Sequence, residues 1–505
     1  MPILNSIVNW LTIKRLHQVD LFKKYPFDVQ RDILFRLLDR ARETEWGKRY
    51  DFASICSVED YKQRIPLQTY ESISPDIQRL INGEQNIFWP SKIKWFAKSS
   101  GTTNDKSKFI PVSPEALEDC HYRGGKDVMA MYASQYPESK MLSGKGLTLG
   151  GSHQIINMNK QISCGDLSAI LLQNLPIWAE FIKTPNQEIA LMHKWEEKLD
   201  KLVSATMHEN VTSLAGVPSW MLVLIKHLLQ KTGKSNLLDI WPNLELFIHG
   251  GVSFLPYRDQ YRQLIPSEGM HYMETYNASE GFFSIQDEPG RDDMLLMLDL
   301  GIYFEFIPLE ELSKPDPRVL HIGEVELNRQ YAIVISTNSG LWRYMIGDTV
   351  QFTSLRPHKI KITGRTRHFI NVFGEEVIVE NADRALQKAC ERTGAVIGEY
   401  TAGPVFMNAD KKGSHEWIIE FVKEPSDISV FTELLDQSLM DLNSDYEAKR
   451  YRNITLDRPL VRKVHEGTFY TWLQEKQKLG GQNKVPRLSN ERKYIEELML
   501  INGRL

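Results

Sequence analysis

Residues 98–108 read Lys98-Ser99-Ser100-Gly101-Thr102-Thr103-Asn104-Asp105-Lys106-Ser107-Lys108, hydroxyl side chains around one glycine with two lysines close behind. Such a loop suits a polyphosphate. Hydroxyls and backbone N–H groups donate to phosphate oxygens, Gly101 lets the backbone approach closely, and the lysines neutralise charge. The same composition is also ordinary in surface loops. A P-loop needs a second glycine directly before its Lys-Ser pair. Here Asp105 precedes Lys106-Ser107, which disfavours a P-loop kinase or ATPase.

Further stretches carry polar chemistry. In Tyr276-Asn277-Ala278-Ser279-Glu280-Gly281, Glu280 sits in a turn, and a carboxylate so placed can hold magnesium, a hard cation that takes oxygen ligands. Most glutamates are solvated surface charges, which is the plainer reading. Asp348 follows Gly347, and a carboxylate fixed just after a glycine can accept both hydroxyls of a ribose. Gly-Asp is equally a common turn. Gly250-Gly251 closes the apolar run 244–248, where paired glycines let a flat ring lie against the backbone or make a tight turn. Arg365 can reach a ribose or phosphate, or serve as a surface ion-pair partner. Near the end, Gly480-Gly481-Gln482-Asn483-Lys484-Val485-Pro486-Arg487 sets Lys484 beside a glycine pair.

These residues need elements to position them. Ile93, Trp95 and Ala97 alternate with lysines, which predicts a strand leading into the hydroxyl-rich loop; Phe109-Ile110 resumes an extended path. Ser113, Pro114 and Glu115 read as N-cap, first-turn proline and favourable acid of a helix. Between 145 and 300, short apolar runs at 147–149, 213–215 and 244–248 alternate with helical patterns at 220–229 and 258–264. That alternation predicts a mainly parallel sheet covered by helices, with ligands beyond the carboxyl ends of its strands. Strands are expected at 330–336 and 341–346, with a turn at 337–340. From 375 the pattern suits a compact α+β unit: helices at 382–392 and 429–442, strands at 416–422 and around Val461.

Composition narrows the classes. At 505 residues the chain needs more than one domain, and 42% apolar with 25% charged residues is ordinary globular usage. A net charge of -4 argues against a broad nucleic-acid surface. Cys56, Cys120, Cys164 and Cys390 are scattered, which suits reduced thiols and not a disulfide framework or zinc site. No uninterrupted apolar run is long enough to cross a bilayer, and the N-terminal apolar residues come before the first basic pair, the reverse of a secretory signal. A cytoplasmic protein is expected. Near-helical spacing of Val29, Ile33, Leu34, Leu37 and Leu38 predicts a helical opening.

The loop at 98–108 resembles the first motif of the acyl-adenylate-forming enzymes, most closely that of the GH3 acyl-acid amido synthetases. Tyr276 to Glu280 is similar to the second motif, and Arg343-Tyr344-Met345-Ile346-Gly347-Asp348 to the third, with Arg and Tyr exchanged. Gly364-Arg365 followed by Ile370 to Gly374 is similar to the hinge segment, and Lys484-Val485-Pro486-Arg487 to the C-terminal motif. The resemblance implies an α/β fold: a large N-terminal adenylate-forming domain over 1–365 and a small mobile C-terminal α+β domain over 366–505. It implies ATP and Mg2+ as cofactors. Ser99, Ser100, Gly101, Thr102, Thr103 and Lys106 would contact phosphates; Gly250, Gly251, Tyr276, Asn277, Ala278, Ser279, Asp348 and Arg365 would hold the nucleotide. Glu280 would bind the metal and Lys484 would reach the α-phosphate. The implied activity is ligation of a small carboxylic acid to an amine, typically an amino acid, with a thiol-using acyl-CoA synthetase or a nucleotide binder without catalysis as alternatives. Two positions depart from the family: Asn371 stands where a lysine is frequent, and Asp105 where glycine is usual, so Asp105→Gly is expected to be neutral or activating.

Overall fold

The computed structural model describes residues 2–99, 108–150, 155–158, 161–175, 181–192, 195–251, 254, 257–312, 314–365, 369–370, 377–406, 413–443, 446–447, 450, 456–479 and 484–504. They form two compact units. The first comprises Met1–Val217, Leu224–Gly251 and Ser267–Lys361; the second comprises Pro218–Val223, Val252–Pro266 and Ile362–Leu505. No helix among the described residues is long and apolar enough to cross a membrane.

The helical opening consists of Pro2–Lys24 and Pro26–Ala41. In the second of these, Ile33, Leu34, Leu37, Leu38 and Ala41 are buried, the stripe expected of a helix with one face on a core. Gln30 keys that helix to the sheet. Its amide nitrogen donates to Leu298 O and Ile302 O, each at 2.8 Å, and its Oε1 accepts from Phe304 N at 2.8 Å.

The core of this unit is a twelve-stranded sheet, in the order Leu320–His321, Ile302–Pro308, Gln330–Thr337, Tyr344–Leu355, His358–Arg365, Met294–Leu296, Gly281–Ile285, His271–Ala278, Leu246–Gly250, Val211–Gly216, Lys145–Thr148 and Lys183–Thr184. The last five strands are parallel to one another. The α/β class is as expected, but the sheet is less parallel than the alternation predicts. From His271–Ala278 onward, the recorded pairings are antiparallel. Only Ser279 and Glu280 separate Ala278 from its partner Gly281, far too short a link for the crossover that a parallel pair needs.

A four-stranded sheet carries the rim of the hydroxyl-rich loop, in the order Lys108–Val112, Trp95–Ser99, Ser163–Gly165 and Ile156–Asn157. Ser99 is in register with Lys108, so the chain leaves and re-enters this sheet at one point. Ser113 caps the following helical segment, its Oγ accepting from Ala116 N at 2.9 Å. That segment opens as a π turn, Ala116–Tyr122, before the α-helix Arg123–Gln135.

The strand expected at 341–346 starts later, at Tyr344, and runs to Leu355. Arg343 is the reason. Its backbone takes φ +45°, and its buried side chain pairs with Glu305 at 3.0 Å and donates to Lys62 O and Ile65 O, each at 2.7 Å. The second unit has a three-stranded sheet, Val396–Val405, Ser414–Lys423 and Leu460–Val464, with helices Val379–Thr393 and Ile428–Leu442. Leu386, Tyr400, Trp417, Phe431 and Leu435 fill its core.

Candidate active site

Leu246–Gly250 ends the parallel run at Gly250, which lies opposite Thr275 on the neighbouring strand. The two backbones are so close that a Cβ on Gly250 would sit 2.3 Å from Thr275 O. Gly251 takes φ +79°, a left-handed conformation that favours glycine. The chain is therefore bare of side chains at a strand's carboxyl end, where open α/β sheets take ligands.

The next strand supplies the second motif. Tyr276 is buried, and its hydroxyl donates to Asp348 Oδ2 at 2.5 Å. Their strands, His271–Ala278 and Tyr344–Leu355, stand four places apart in the sheet order, so the sheet must coil for these side chains to meet. Asp348 reaches this point through an irregularity in its own strand. Ala332 pairs with Thr349 and Val334 with Met345, two steps on one strand against four on the other. Gly347 absorbs the bulge at φ +88°. Asn277 and Ala278 follow Tyr276 on the strand, while Ser279 and Glu280 form the tight turn, Ser279 buried and Glu280 half-buried.

Two supports of this hairpin carry no motif signal in the sequence. Both come from the π turn, a local geometry frequent at functional sites. His121, buried, shares a 3.0 Å hydrogen bond between its Nδ1 and Asn277 Oδ1. Burial holds its pKa down at about 4, so the imidazole is neutral and Nδ1–H is the donor to that amide oxygen. The preceding Cys120 accepts at Sγ from Phe282 N at 3.2 Å; burial pushes its thiol up to about 12, so it stays protonated.

The structure thus brings together Gly250, Gly251, Tyr276, Asn277, Ala278, Ser279, Glu280 and Asp348 in the first unit. Ser100, Gly101, Thr102, Thr103 and Lys106, with Asp105, lie outside the described residues, as do the side chains of Ser99 and Arg365. Lys484 belongs to the second unit and is exposed. Among the described residues, no group of three or more His, Cys, Asp or Glu side chains could hold a metal ion. Glu280 is a half-buried carboxylate in the hairpin turn, an oxygen donor of the type that magnesium takes together with phosphates and water.

Comparison with known proteins places the whole chain in a family. The chain matches the GH3 family N-terminal domain over residues 15–270, the central domain over 295–365 and the C-terminal domain over 380–493. It is 23% identical to the indole-3-acetic acid-amido synthetase GH3.3 of Arabidopsis thaliana, over 94% of this chain and 91% of that one. It is also 23% identical to the 4-substituted benzoates-glutamate ligase GH3.12 of the same plant, covering 93% and 94%. Among solved structures, the GH3.15 acyl acid amido synthetase superposes with a TM-score of 0.81 at 17% identity, covering 96% and 95%. A 2-hydroxyisobutyryl-CoA ligase in its postadenylation state gives 0.60 at 13% identity, covering 94% and 92%. With its three domains matched in order along nearly the whole sequence, the chain belongs to the GH3 family.

Proposed function

We propose that this protein is an ATP-dependent ligase that joins a small carboxylic acid to an amine through an acyl-adenylate. The observation that carries the reading is the Tyr276–Asp348 contact beside the Gly250–Gly251 strand end, a bare backbone platform next to a fixed carboxylate. A carboxylate is a poor electrophile at neutral pH and must first acquire a leaving group. In the first step an oxygen of the acid attacks the α-phosphorus of ATP and pyrophosphate leaves. In the second, an amine nitrogen attacks the acyl carbon, AMP leaves with the bonding electrons, and the nitrogen loses a proton.

Each residue has a task in this scheme. Gly250 and Gly251 give the adenine a flat surface, and Asp348, oriented by Tyr276, accepts the ribose hydroxyls. Ser99, Ser100, Thr102, Thr103 and Lys106 donate to phosphate oxygens around Gly101, and Arg365 adds positive charge. Magnesium, when bound, neutralises phosphate charge, and Glu280 would hold it. Lys484 donates to the α-phosphate, where preorganised positive charge lowers the barrier most. The relatives' names point to indole-3-acetic acid and benzoates as acids and glutamate as an acceptor, so aromatic acids and amino acids are the classes of first choice. The four cysteines are free thiols, which suits the reducing cytoplasm.

The test is pyrophosphate release from ATP and magnesium across aryl, indolyl and fatty acids, with and without pooled amino acids or coenzyme A. Acid-dependent release that Lys484→Ala abolishes, followed by an amide product, is the expected result. ATP binding with no release for any acid would refute the ligase reading; consumption of the adenylate by coenzyme A alone would replace the amine with a thiol.

A further inference from the structure

Three residues after Lys484, the Arg487 guanidinium enters a dense polar network. Its Nη1 donates to Glu399 Oε2 at 2.6 Å and to Tyr400 O at 3.1 Å, and its Nη2 donates to Tyr257 Oη at 2.8 Å. The Tyr257 hydroxyl closes the ring by donating to Glu399 Oε1 at 2.9 Å. Burial pushes that phenol well above its ordinary pKa, so it remains a donor. The guanidinium also lies over the Tyr400 ring, 4.6 Å from its centroid, and Tyr400 is in turn fixed by its hydroxyl to Asp383 Oδ1 at 2.7 Å.

The backbone around Arg487 is fastened as well. Ala402 N donates to Arg487 O at 2.8 Å, Ser489 N to Ala402 O at 3.0 Å, and Thr401 Oγ1 to Pro486 O at 2.6 Å. Val485 and Leu488 are buried. The chain is thus immobilised from position 485, immediately after the exposed Lys484.

We propose that Arg487, held by Glu399 and Tyr257, is the positioning residue for Lys484 in adenylate formation; this rests on the role given to Lys484 above. Stability alone is a weak reason for such a hub. The Arg487–Glu399 pair is half-buried, and such pairs add little net stability, because lost hydration offsets their attraction. What a guanidinium supplies that an apolar side chain cannot is direction: a planar fork that engages carboxylate, hydroxyl and aromatic face at once. Here it joins three separate stretches of the second unit. Val396–Val405 provides Glu399 and Tyr400, the 252–266 segment provides Tyr257, and the C-terminal segment provides Arg487 and Lys484. Three residues of chain span at most about 10 Å, so a shift of the hub is passed to Lys484 with little slack.

The experiment uses the full chain and the acid identified by the pyrophosphate assay. Arg487→Lys keeps the charge and loses the fork; Tyr257→Phe removes one hydroxyl and serves if Arg487→Lys does not fold. The expected result is at least a tenfold fall in kcat for pyrophosphate release in Arg487→Lys, and three- to fivefold in Tyr257→Phe. The KM for ATP should stay within twofold, and amide formation from supplied acyl-adenylate should be unchanged. Equal losses in both half-reactions would assign the hub a merely structural role and overturn the proposal. Lys484→Ala inactive in the first step, with Arg487→Lys at the wild-type rate, would overturn the positioning role alone. Lys484→Ala at the wild-type rate would overturn the reading of Lys484 and the positioning role with it.

Discussion

Gly250→Ala should damage the platform through backbone geometry alone. The new Cβ would lie 2.3 Å from Thr275 O, whereas ordinary contacts begin at 3.4 Å, so the two strands must part by about 1 Å at their carboxyl ends. The obstacle is a carbonyl oxygen in a paired strand, not the tip of a mobile side chain. Overpacking of this kind costs about 1–3 kcal/mol. In a unit of this size that lowers the melting temperature by about 2 to 4 °C. The residue after Thr275 is Tyr276, so the same displacement disturbs the hydroxyl that holds Asp348. Nucleotide affinity, read by calorimetry with AMP or a non-hydrolysable ATP analogue, should fall at least tenfold, about 1.4 kcal/mol. Gly125→Ala is the control: it lies in the helix Arg123–Gln135, and its Cβ would meet nothing within 4 Å. It should stabilise by about 0.5–1 kcal/mol, because alanine is the better helix former, and leave nucleotide binding untouched. A Gly250→Ala protein that melts and binds like the wild type would refute the reasoning.

His121 makes the first unit acid-sensitive. Folded, it titrates near 4; unfolded, at its ordinary 6.5, so the unfolded chain binds more protons between those values. Its contribution is complete above about pH 6.5 and is lost as the pH falls toward 4, reaching about 3 kcal/mol at 1.36 kcal/mol per factor of ten in proton affinity. Melting temperatures followed from pH 7.5 to 4.5 should fall less steeply in His121→Gln, and parallel curves would refute the assignment. Gly347→Ala forces a β-carbon into φ +88°, costing about 1–3 kcal/mol, and should lower pyrophosphate release by displacing Asp348; an unchanged rate would show that the bulge does not aim the carboxylate. Tyr276→Phe removes the hydroxyl on Asp348, a hydrogen bond to a charged group worth about 1.5–3 kcal/mol, and should raise the KM for ATP at least several-fold. An unchanged KM would mean that Asp348 is held without it.

Much of the frame was legible in the sequence because it rests on local forces. The predicted helix at 258–264 is observed as Arg258–Leu264, and the run 244–248 as Leu246–Gly250. The helix read at 429–442 is Ile428–Leu442. Apolar periodicity and helix caps report on neighbours within a few residues, and those neighbours decide these elements. The strand Val396–Val405 escaped notice since Gly398, Gly403 and Pro404 weaken its pattern; pairing with Ser414–Lys423 is what makes it a strand. Arg343, part of a recognised motif, proved to be a buried partner of Glu305, a role its spacing does not reveal.

The sequence by itself determined the order of the motifs, the turns that display them and hence the family, because residue type and spacing encode local conformation and chemistry. Which polar groups face one another was decided only in the tertiary structure. Tyr276 and Asp348 are 72 positions apart, His121 and Asn277 156, Tyr257 and Arg487 230. Such contacts depend on strand register, on the bulge at Gly347 and on the π turn before Arg123. Each is set by burial and hydrogen bonding summed over a whole unit, which no local pattern records.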